Sequence, residues 1–382
     1  MIERLLIVGG SVRAAAMSAR RAGFEPIAID RFADADLQGI CPAFQRYDEL
    51  RQLPKLARQM PMADWMYTGP LENCHALIEQ LAEQRKLLGN DAATLRQLRD
   101  PWSLAGALGK AGLSSPELSD AGEFPGGNDW LKKPLRAAGG FGVERFGLAQ
   151  TDRGTFSDSI YFQKFIPGRS VGATFLGARG RAVLVGVAEQ LLGPAWSGSR
   201  EFQYVGSVGP IRLSLEHTQA LMRIGDCIAE SFPVQGLFGV DAIINDDGVW
   251  LVEVNPRYTA SVEVLERALG VATLRWHVAA CRGGELPDFA CVRPQEDRLD
   301  RYGKAVVYAS RKVVVDEKLE RELCARNCAT ADPMVADIPV AGTSIKGGEP
   351  IVTVFAKGGA SADVKEGLQA AIADVKRLTR DI

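Results

Sequence analysis

The chain has 382 residues, of which 46 % are hydrophobic and 24 % charged, as is typical of a soluble globular protein with roughly two to four domains. A formal net charge of −2 argues against non-specific nucleic-acid binding, and no apolar run approaches the roughly 18 residues of a membrane helix. The 7 cysteines are odd in number and dispersed, which indicates no disulfide framework and favours the cytoplasm.

Residues 1–99 predict a doubly wound αβ domain. "RLLIVG" is typical of a buried parallel strand, "GGSVRAAAMSARRAG" of a glycine turn and a helix, and "EPIAIDRF" of a second strand. Ligands gather at the carboxyl ends of such strands, although turn and capping roles are the alternative for polar residues there. Candidate substrate contacts at these ends are Ser11, Arg13, Thr68 and Glu72. Gly9 and Gly10 lack the third glycine of a dinucleotide-binding turn, so an NAD-dependent dehydrogenase is a weaker alternative.

"WLKKPLRAAGGFGV" combines a short strand with a glycine-rich loop. Successive strand residues point to opposite faces, so only one of Lys132 and Lys133 can face a shared site. Glycines let backbone N–H groups approach an anion closely, and a cation beside them suits a polyphosphate; a plain hairpin turn is the alternative. The loop glycines are Gly139, Gly140 and Gly142. The stretch is not a Walker A loop, because it lacks G-K-[ST].

"YFQKFIPG" (161–168) predicts an apolar strand that ends in a Pro-Gly turn. A strand that passes along a flat base can offer its backbone N–H and C=O groups to adenine. An ordinary place in the core is the alternative for this segment.

"DAIINDDGVWLVEVNPR" (241–257) predicts a β-hairpin that turns at "NDDG". With a three-residue loop over 246–248, Asp241 lies opposite Glu253, and Asn255 shares that face because it is two residues further on. A two-residue loop would put Asp241 on the other face. Three oxygen-bearing side chains on one face suit Mg²⁺, which completes its octahedron with water and phosphate. Solvated carboxylates at strand ends are the alternative.

In order and spacing, these three motifs resemble the ATP-grasp superfamily over residues 100–270. The resemblance implies an ATP-grasp fold of mixed α/β and α+β class, with an N-terminal Rossmann-like domain and a small C-terminal αβ domain. The implied domains are 1–99 (Rossmann-like), 100–168 (small subdomain with the glycine flap), 169–284 (large subdomain with the hairpin) and 285–382 (C-terminal).

The resemblance also implies the ligands, ATP and Mg²⁺, and the residues that hold them. Lys133 and Arg257 are implied as catalytic cations at the transferred phosphate, with Lys133 also binding ATP. The implied binding residues are Gly139, Gly140 and Gly142 over the phosphates, Gln163, Lys164 and Ile166 at adenine, and Asp241, Glu253 and Asn255 at Mg²⁺. Two positions depart from the family pattern. Pro101 replaces a usual phosphate-binding lysine, and Ser170 replaces a glutamate that commonly binds the ribose.

The implied reaction is ATP-dependent ligation of a carboxylate and an amine through an acyl phosphate. The run "YTGPLEN…LLGN…LRDPW…AGLSSP" is similar to a carboxylate–amine ligase-like branch, some members of which are associated with methanopterin- and methanofuran-type one-carbon cofactors. A degenerate ATP-grasp protein that only senses nucleotides and a different ATP chemistry, such as carboxylation, are the alternatives. The expected partners are small-molecule carboxylate and amine substrates and a second copy in a homodimer, with no nucleic acid or membrane.

The segment "EQLLGPAWSGSREFQYVG" (189–206) interleaves Trp196, Phe202 and Tyr204 with Gly and Ser. It predicts a loop that covers the substrate, with Tyr204 as a further substrate contact. Its aromatic residues favour a ring-bearing substrate. A surface turn between strands is the alternative.

Overall fold

A computed structural model gives the structure of residues 2–122, 126–147, 159–288, 300–327 and 333–379. Within these ranges, no helix is both long and apolar enough to span a membrane. Three main sheets organise this part of the chain: an N-terminal parallel sheet, a small antiparallel sheet and a large antiparallel sheet.

Strands and helices alternate in the N-terminal domain. They are β1 (Arg4–Gly9), α1 (Arg13–Arg21), β2 (Glu25–Asp30), α2 (Ala35–Gln38), β3 (Phe44–Arg46), α3 (Leu53–Gln59), β4 (Asp64–Tyr67), α4 (His75–Ala82) and α5 (Ala92–Leu98), with 3-10 turns at Leu50–Gln52 and Leu71–Asn73. The strands pair in parallel in the order β3-β2-β1-β4. Leu5 and Ile7 pack into one core, and Leu6 and Val8 pack into another on the opposite face. The sheet is therefore buried on both faces, as predicted for a doubly wound domain.

The small antiparallel sheet follows this domain. Its elements are α6 (Pro101–Lys110), β5 (Leu118–Asp120), β6 (Trp130–Pro134), β7 (Glu144–Phe146) and β8 (Ile160–Lys164), and the strand order is β5-β8-β6-β7. Trp130, Phe146 and Phe162 form its core. Asp100 caps α6 by accepting a hydrogen bond from the backbone N–H of Ser103 (3.1 Å). Pro101 fits the next position because the first turn of a helix needs no N–H donor.

The large sheet crosses from the third predicted domain into the fourth. Elements from the third are β9 (Arg169–Ala178), β10 (Arg181–Leu192), a 3-10 turn (Ala195–Ser197), β11 (Tyr204–Gly209), α7 (Leu215–Ser231), β12 (Gly236–Asn245), β13 (Gly248–Asn255), α8 (Ala260–Leu269) and α9 (Thr273–Gly283). Elements from the fourth are β14 (Arg301–Tyr308), β15 (Val313–Val314), α10 (Glu317–Ala325), β16 (Val335–Ala336), β17 (Ser344–Ile345), β18 (Pro350–Gly358) and α11 (Ser361–Leu378).

Eight strands join in the order β13-β12-β9-β10-β11-β14-β18-β16, while β15 and β17 pair separately. The two predicted domains meet where β11 pairs with β14, with Gly206 opposite Ala305. The predicted boundary between residues 284 and 285 therefore separates strands that belong to one continuous sheet, and the four domain ranges remain a prediction.

The core beside α7 determines which way the hairpin of β12 and β13 faces. Val240, Ala242 and Ile244 are buried in this core. Because side chains alternate along a strand, Asp241 and Ile243 lie on the other face, where both line a cleft.

Candidate active site

A cleft of about 640 Å³ lies between the small sheet and the large sheet. Residues of β6 and β8 form one wall, and residues of β9, β10, β12 and β13 form the other. The predicted residues that line it are Lys133, Gly139, Gly140, Gln163, Lys164, Ile166, Tyr204, Asp241, Glu253, Asn255 and Arg257. The structure thus brings residues of all three sequence motifs together.

The hairpin differs from the sequence prediction in its loop but not in its acidic pair. Asn245 pairs with Gly248, so the loop has two residues, and the predicted three-residue loop is wrong. A β-bulge at Val252 compensates, because Ala242 pairs with Leu251 while Asp241 pairs with Glu253. The extra residue shifts the register by one and places the two carboxylates opposite each other despite the short loop.

Asp241 and Glu253 influence each other's ionisation. Burial, followed by the negative charge of Glu253, raises the pKa of Asp241 to about 7. Burial also acts to raise the pKa of Glu253, but Arg99 and Lys133 outweigh it and hold that pKa below its ordinary value. Like charges directly opposite on paired strands are destabilising, so a cation bound between the two carboxylates would relieve their repulsion.

This acidic pair fits Mg²⁺. Among the described residues, no group of three or more His, Cys, Asp or Glu side chains could hold a metal ion by itself. Mg²⁺ needs fewer protein ligands, since it commonly takes one or two carboxylates and completes its shell with water and substrate phosphates. Asp241, Glu253 and the amide oxygen of Asn255 offer such a set, and their role as ligands remains a prediction.

Arg257 is anchored on the N-terminal domain. Its Nη2 lies 2.7 Å from Oε1 of Glu72, which is fully buried. Burial acts to lower the pKa of Arg257, but the carboxylate of Glu72 outweighs it and raises that pKa. The buried Nε has no hydrogen-bond partner among the described residues, so the guanidinium can donate to one further acceptor. Glu72 is the ion-pair partner of Arg257, and the substrate contact predicted for it remains a prediction.

The two lysines of β6 point to opposite sides, as predicted. Lys133 is buried, and its Nζ donates to Oε1 of Gln163 (3.0 Å). Lys132 pairs with Glu144 outside the cleft (3.1 Å). Nε2 of Gln163 in turn donates to the carbonyl of Val252, the bulge residue (3.4 Å). Gln163 therefore connects the cationic wall of the cleft to the hairpin.

The glycine loop (residues 135–143) docks against the segment that leads into β11. The backbone N–H of Tyr204 donates to the carbonyl of Gly139 (3.0 Å). Gly140 has a φ of +73°, and a Cβ there would lie 1.9 Å from the carbonyl oxygen of Phe202. Glycine is therefore required at position 140 for this docked arrangement.

The predicted site residues that lie outside the cleft are Ser11, Arg13, Thr68, Glu72 and Gly142. The hydroxyl of Thr68 donates to the backbone carbonyl of Ser11 (3.2 Å), which ties together the ends of β1 and β4. Gly142 packs against the ring of Pro134 rather than facing the cleft. The roles predicted for these residues remain predictions.

Arg13 belongs to a buried set of charges that we call the Glu263 cluster: Arg13, Glu263, Arg267, Lys304 and Asp337. Oε2 of Glu263 accepts hydrogen bonds from Arg13 (3.1 Å) and Lys304 (3.2 Å). Arg13 also donates from Nε to Asp337 (3.1 Å), and its side chain is only 2 % exposed. The cluster joins α1, α8 and β14, so Arg13 connects domains, and its substrate contact remains a prediction.

Sequence reasoning missed two polar residues of the cleft that contact the acidic pair, Gln190 and Arg99. Gln190 donates to Asp241 (2.7 Å) and accepts from the hydroxyl of Ser170 (2.8 Å). Ser170, which stands where the family pattern has a glutamate, is therefore linked to Asp241 through Gln190. Arg99 donates to Oε1 of Glu253 (3.2 Å). Arg99 stands in the run "LRDPW" and Gln190 in the segment 189–206, but neither was singled out there as a site residue.

The predicted covering segment divides between the cleft and the C-terminal core. Phe202 and Tyr204 line the cleft. Trp196 instead packs against the C-terminal core, and Lys376 of α11 donates to the carbonyl of Ser197 (2.8 Å). The C-terminal domain thus anchors the segment against which the glycine loop docks.

The end of β2 does not support the dehydrogenase alternative. Asp30 accepts backbone hydrogen bonds from Val12 and Ala33, both at 2.7 Å. It is almost fully buried, and burial raises its pKa to about 6. A carboxyl group committed to these backbone donors is not open to a ribose hydroxyl.

Comparison with known families identifies the middle of the chain. Residues 98–261 match the family model described as an ATP-grasp domain. The chain contains an ATP-grasp domain. An uncharacterized protein of Methanocaldococcus jannaschii is 20 % identical to this chain, and the match covers 93 % of this chain and 88 % of that protein.

Solved structures share the fold of the whole chain. An L-amino acid ligase from Bacillus licheniformis matches with a TM-score of 0.71 at 15 % identity, over 97 % of each chain. Phosphoribosylamine–glycine ligase from Thermotoga maritima matches with a TM-score of 0.70 at 14 % identity, over 97 % of this chain and 96 % of that one. These similarities and the matched domain confirm the predicted ATP-grasp fold with its N-terminal Rossmann-like domain.

Proposed function

We propose that this protein is an ATP-dependent carboxylate–amine ligase, which activates a carboxylate as an acyl phosphate and couples it to an amine. One observation supports this most: Lys133, the glycine loop and Arg257 share a single cleft with the Asp241–Glu253 pair. Two of the structurally similar proteins are ligases by name, one for L-amino acids and one for phosphoribosylamine and glycine.

The first step transfers the γ-phosphoryl group of ATP to the carboxylate, and it depends mainly on positioning and charge neutralisation. Lys133, held by Gln163, and Arg257, held by Glu72, supply fixed positive charges toward phosphate oxygens. Mg²⁺, when bound by Asp241, Glu253 and Asn255, would neutralise further charge on the transferred group. A structurally similar carboxylase domain from Hydrogenobacter thermophilus is described as a complex with MgADP.

In the second step, the amine attacks the acyl carbon, the C–N bond forms, and phosphate leaves. Arg257 is suited to stabilise the oxyanion of this step, because it lines the cleft and Glu72 fixes its guanidinium. The glycine loop, docked against Phe202, excludes water that would otherwise hydrolyse the acyl phosphate.

The sensor alternative is not favoured, since the cations and the acidic pair that a ligase needs are all present in the cleft. The adenine contacts of Gln163, Lys164 and Ile166 and the substrate contact of Tyr204 are part of this proposal. A role in one-carbon cofactor biosynthesis, a homodimer and a cytoplasmic location are predictions that rest on the sequence alone.

Release of ADP and phosphate, measured over panels of carboxylates and amines, tests the proposal. We expect release to require one acid and one amine together. Asp241→Asn should lower the rate about 100-fold or more, because it removes a charge from the metal site. Asp246→Asn is the matched control, since Asp246 is exposed at the tip of the same hairpin. The proposal fails if no pair supports release and Asp241→Asn leaves the affinity for ATP unchanged.

A further inference from the structure

Arg99 lies where three parts of the cleft meet. Its Nη2 donates to the carbonyl of Ala137 in the glycine loop (2.9 Å) and to Oδ1 of Asn73 in the N-terminal domain (3.3 Å). Its Nη1 donates to Oε1 of Glu253 on the hairpin (3.2 Å). One guanidinium therefore touches the N-terminal domain, the glycine loop and the acidic pair.

The hydrogen bonding of Arg99 is incomplete. Its side chain is 10 % exposed, and the buried Nε has no hydrogen-bond partner among the described residues. A buried N–H without an acceptor leaves its desolvation uncompensated. Because Arg99 lines the cleft, an anionic oxygen bound there would lie beside its guanidinium.

Arg99 also opposes a bare cation at the acidic pair. Its Nη1 lies 3.2 Å from Oε1 of Glu253, so its positive charge acts directly on that carboxylate. A divalent cation at Glu253 would meet this charge in a partly buried setting, where repulsion is only weakly screened. The repulsion would be offset if phosphate oxygens entered together with the cation.

We propose that Arg99 couples the binding of the divalent cation to the binding of the nucleotide, by exchanging Glu253 for a phosphate oxygen when the cation arrives. This inference rests on the nucleotide and metal site proposed above. With the cleft empty, Arg99 neutralises Glu253 and holds the glycine loop through Ala137. With the metal–nucleotide complex bound, both the carboxylate and the guanidinium have partners of opposite charge. The cleft thereby selects a cation that arrives with its nucleotide over a free cation.

The test is titration of the full-length protein with Mn²⁺ alone and with Mn²⁺–ADP, using electron paramagnetic resonance to count free Mn²⁺. For Arg99→Gln, we expect Mn²⁺ alone to bind about 3- to 10-fold more tightly, because the opposing charge is gone. The same variant should bind Mn²⁺–ADP about 10-fold more weakly, because a charged hydrogen bond is lost. Effects of opposite sign distinguish coupling from a purely structural role, which would weaken both.

Two further variants complete the design. Arg96→Gln is the matched control, because Arg96 lies on α5 with an exposed guanidinium paired to Glu79 (2.6 Å), and both affinities should stay unchanged. Arg99→Lys keeps the charge but not the two-armed geometry. It should leave the affinity for Mn²⁺ alone unchanged and weaken Mn²⁺–ADP about 3-fold.

If Arg99→Gln changes the affinities for Mn²⁺ alone and for Mn²⁺–ADP in the same direction, the inference is overturned. It is also overturned if both affinities stay unchanged. If Arg99→Gln does not fold, as judged by its thermal unfolding, Arg99→Lys decides the matter, and wild-type affinity for Mn²⁺–ADP would then overturn the inference. If the wild-type protein binds no Mn²⁺–ADP, the proposed function is overturned as well. Binding by the wild-type protein therefore distinguishes a failure of the proposed function from a failure of the inference about Arg99 alone.

Discussion

The Glu263 cluster and the cleft both collect charged side chains, but they differ in how these charges are balanced. In the cluster, Glu263 is fully buried and pairs with three cations, Arg13, Arg267 and Lys304. Burial acts to raise the pKa of Glu263, yet these cations hold it well below its ordinary value. The charges of this region are matched by the protein itself.

In the cleft the matching is incomplete. Asp241 lies opposite another carboxylate, and burial together with the charge of Glu253 raises the pKa of Asp241 to about 7, whereas the cations of the cluster lower that of Glu263. Charges that the fold satisfies stabilise the junction between domains, whereas charges left unsatisfied indicate where a ligand completes the pairing. Three measurements test this division between stability and activity, at the cluster, at a further buried group and at the glycine loop of the cleft.

The largest expected effect is on the cluster. Glu263→Gln leaves Arg13 and Lys304 buried without their carboxylate, and we expect the free energy of unfolding to fall by about 3–5 kcal/mol. Urea denaturation followed by circular dichroism measures this, with Glu79→Gln as the control because Glu79 pairs with Arg96 at the surface. Unchanged stability together with lost phosphate release would instead make the cluster part of the active site.

A smaller effect concerns His277, a buried group that is also satisfied by the fold. Its Nδ1 accepts from the N–H of Leu237 (2.9 Å), its Nε2 lies 3.1 Å from the carbonyl oxygen of Leu88, and burial lowers its pKa to about 4. The unfolded chain binds the proton at a higher pH, near 6.5, so protonation favours unfolding between these values.

We therefore expect the free energy of unfolding to be intact above pH 6.5 and to fall by about 3 kcal/mol as the pH drops to about 4. Urea denaturation at a series of pH values measures the slope. In His277→Gln the contribution of this group should disappear, and an identical slope in both proteins would contradict its assignment.

The smallest expected effect belongs to the glycine loop. Gly140→Ala places a Cβ against the carbonyl of Phe202, whereas Gly139→Ala meets nothing within 4 Å although it shares a positive φ. We expect Gly140→Ala to raise the KM for ATP about 10-fold relative to Gly139→Ala, with similar stability for both, because only the docking of the loop is disturbed. Equal kinetics would show that the docked loop does not contribute to ATP binding.

The sequence predicted which segments meet at the cleft, because strand periodicity and glycine turns are local signals. Strand alternation predicted that only one of Lys132 and Lys133 faces the cleft, and the family resemblance indicated Lys133. The predicted length of the hairpin loop was wrong, because a bulge at Val252 has no clear local signature in the sequence. The observed pairing of Asp241 with Glu253 was also compatible with a three-residue loop and no bulge. The two-residue loop and the bulge have opposite effects on the pairing register, so counting residues along the sequence cannot distinguish them from a longer loop without a bulge.

Residues defined by long-range contacts escaped prediction. Arg99 contacts Glu253, which is 154 positions away, and Arg13 contacts Glu263, which is 250 positions away. Nothing near Arg13 in the sequence indicates that its charge is already paired, so it was predicted as a substrate contact. Which charged groups remain unpaired can be known only once the chain has folded.

The pairing of β11 with β14 also has a consequence for synthesis on the ribosome. β11 leaves the ribosome on the order of 100 residues before β14, which at typical elongation rates is a delay of about 5–20 s. During that time the nascent sheet ends in an unpaired edge, with Val205 and Val208 lacking much of the core that buries them in the finished protein. This unpaired edge is therefore a place where nascent chains of this protein are open to association with one another or with a chaperone.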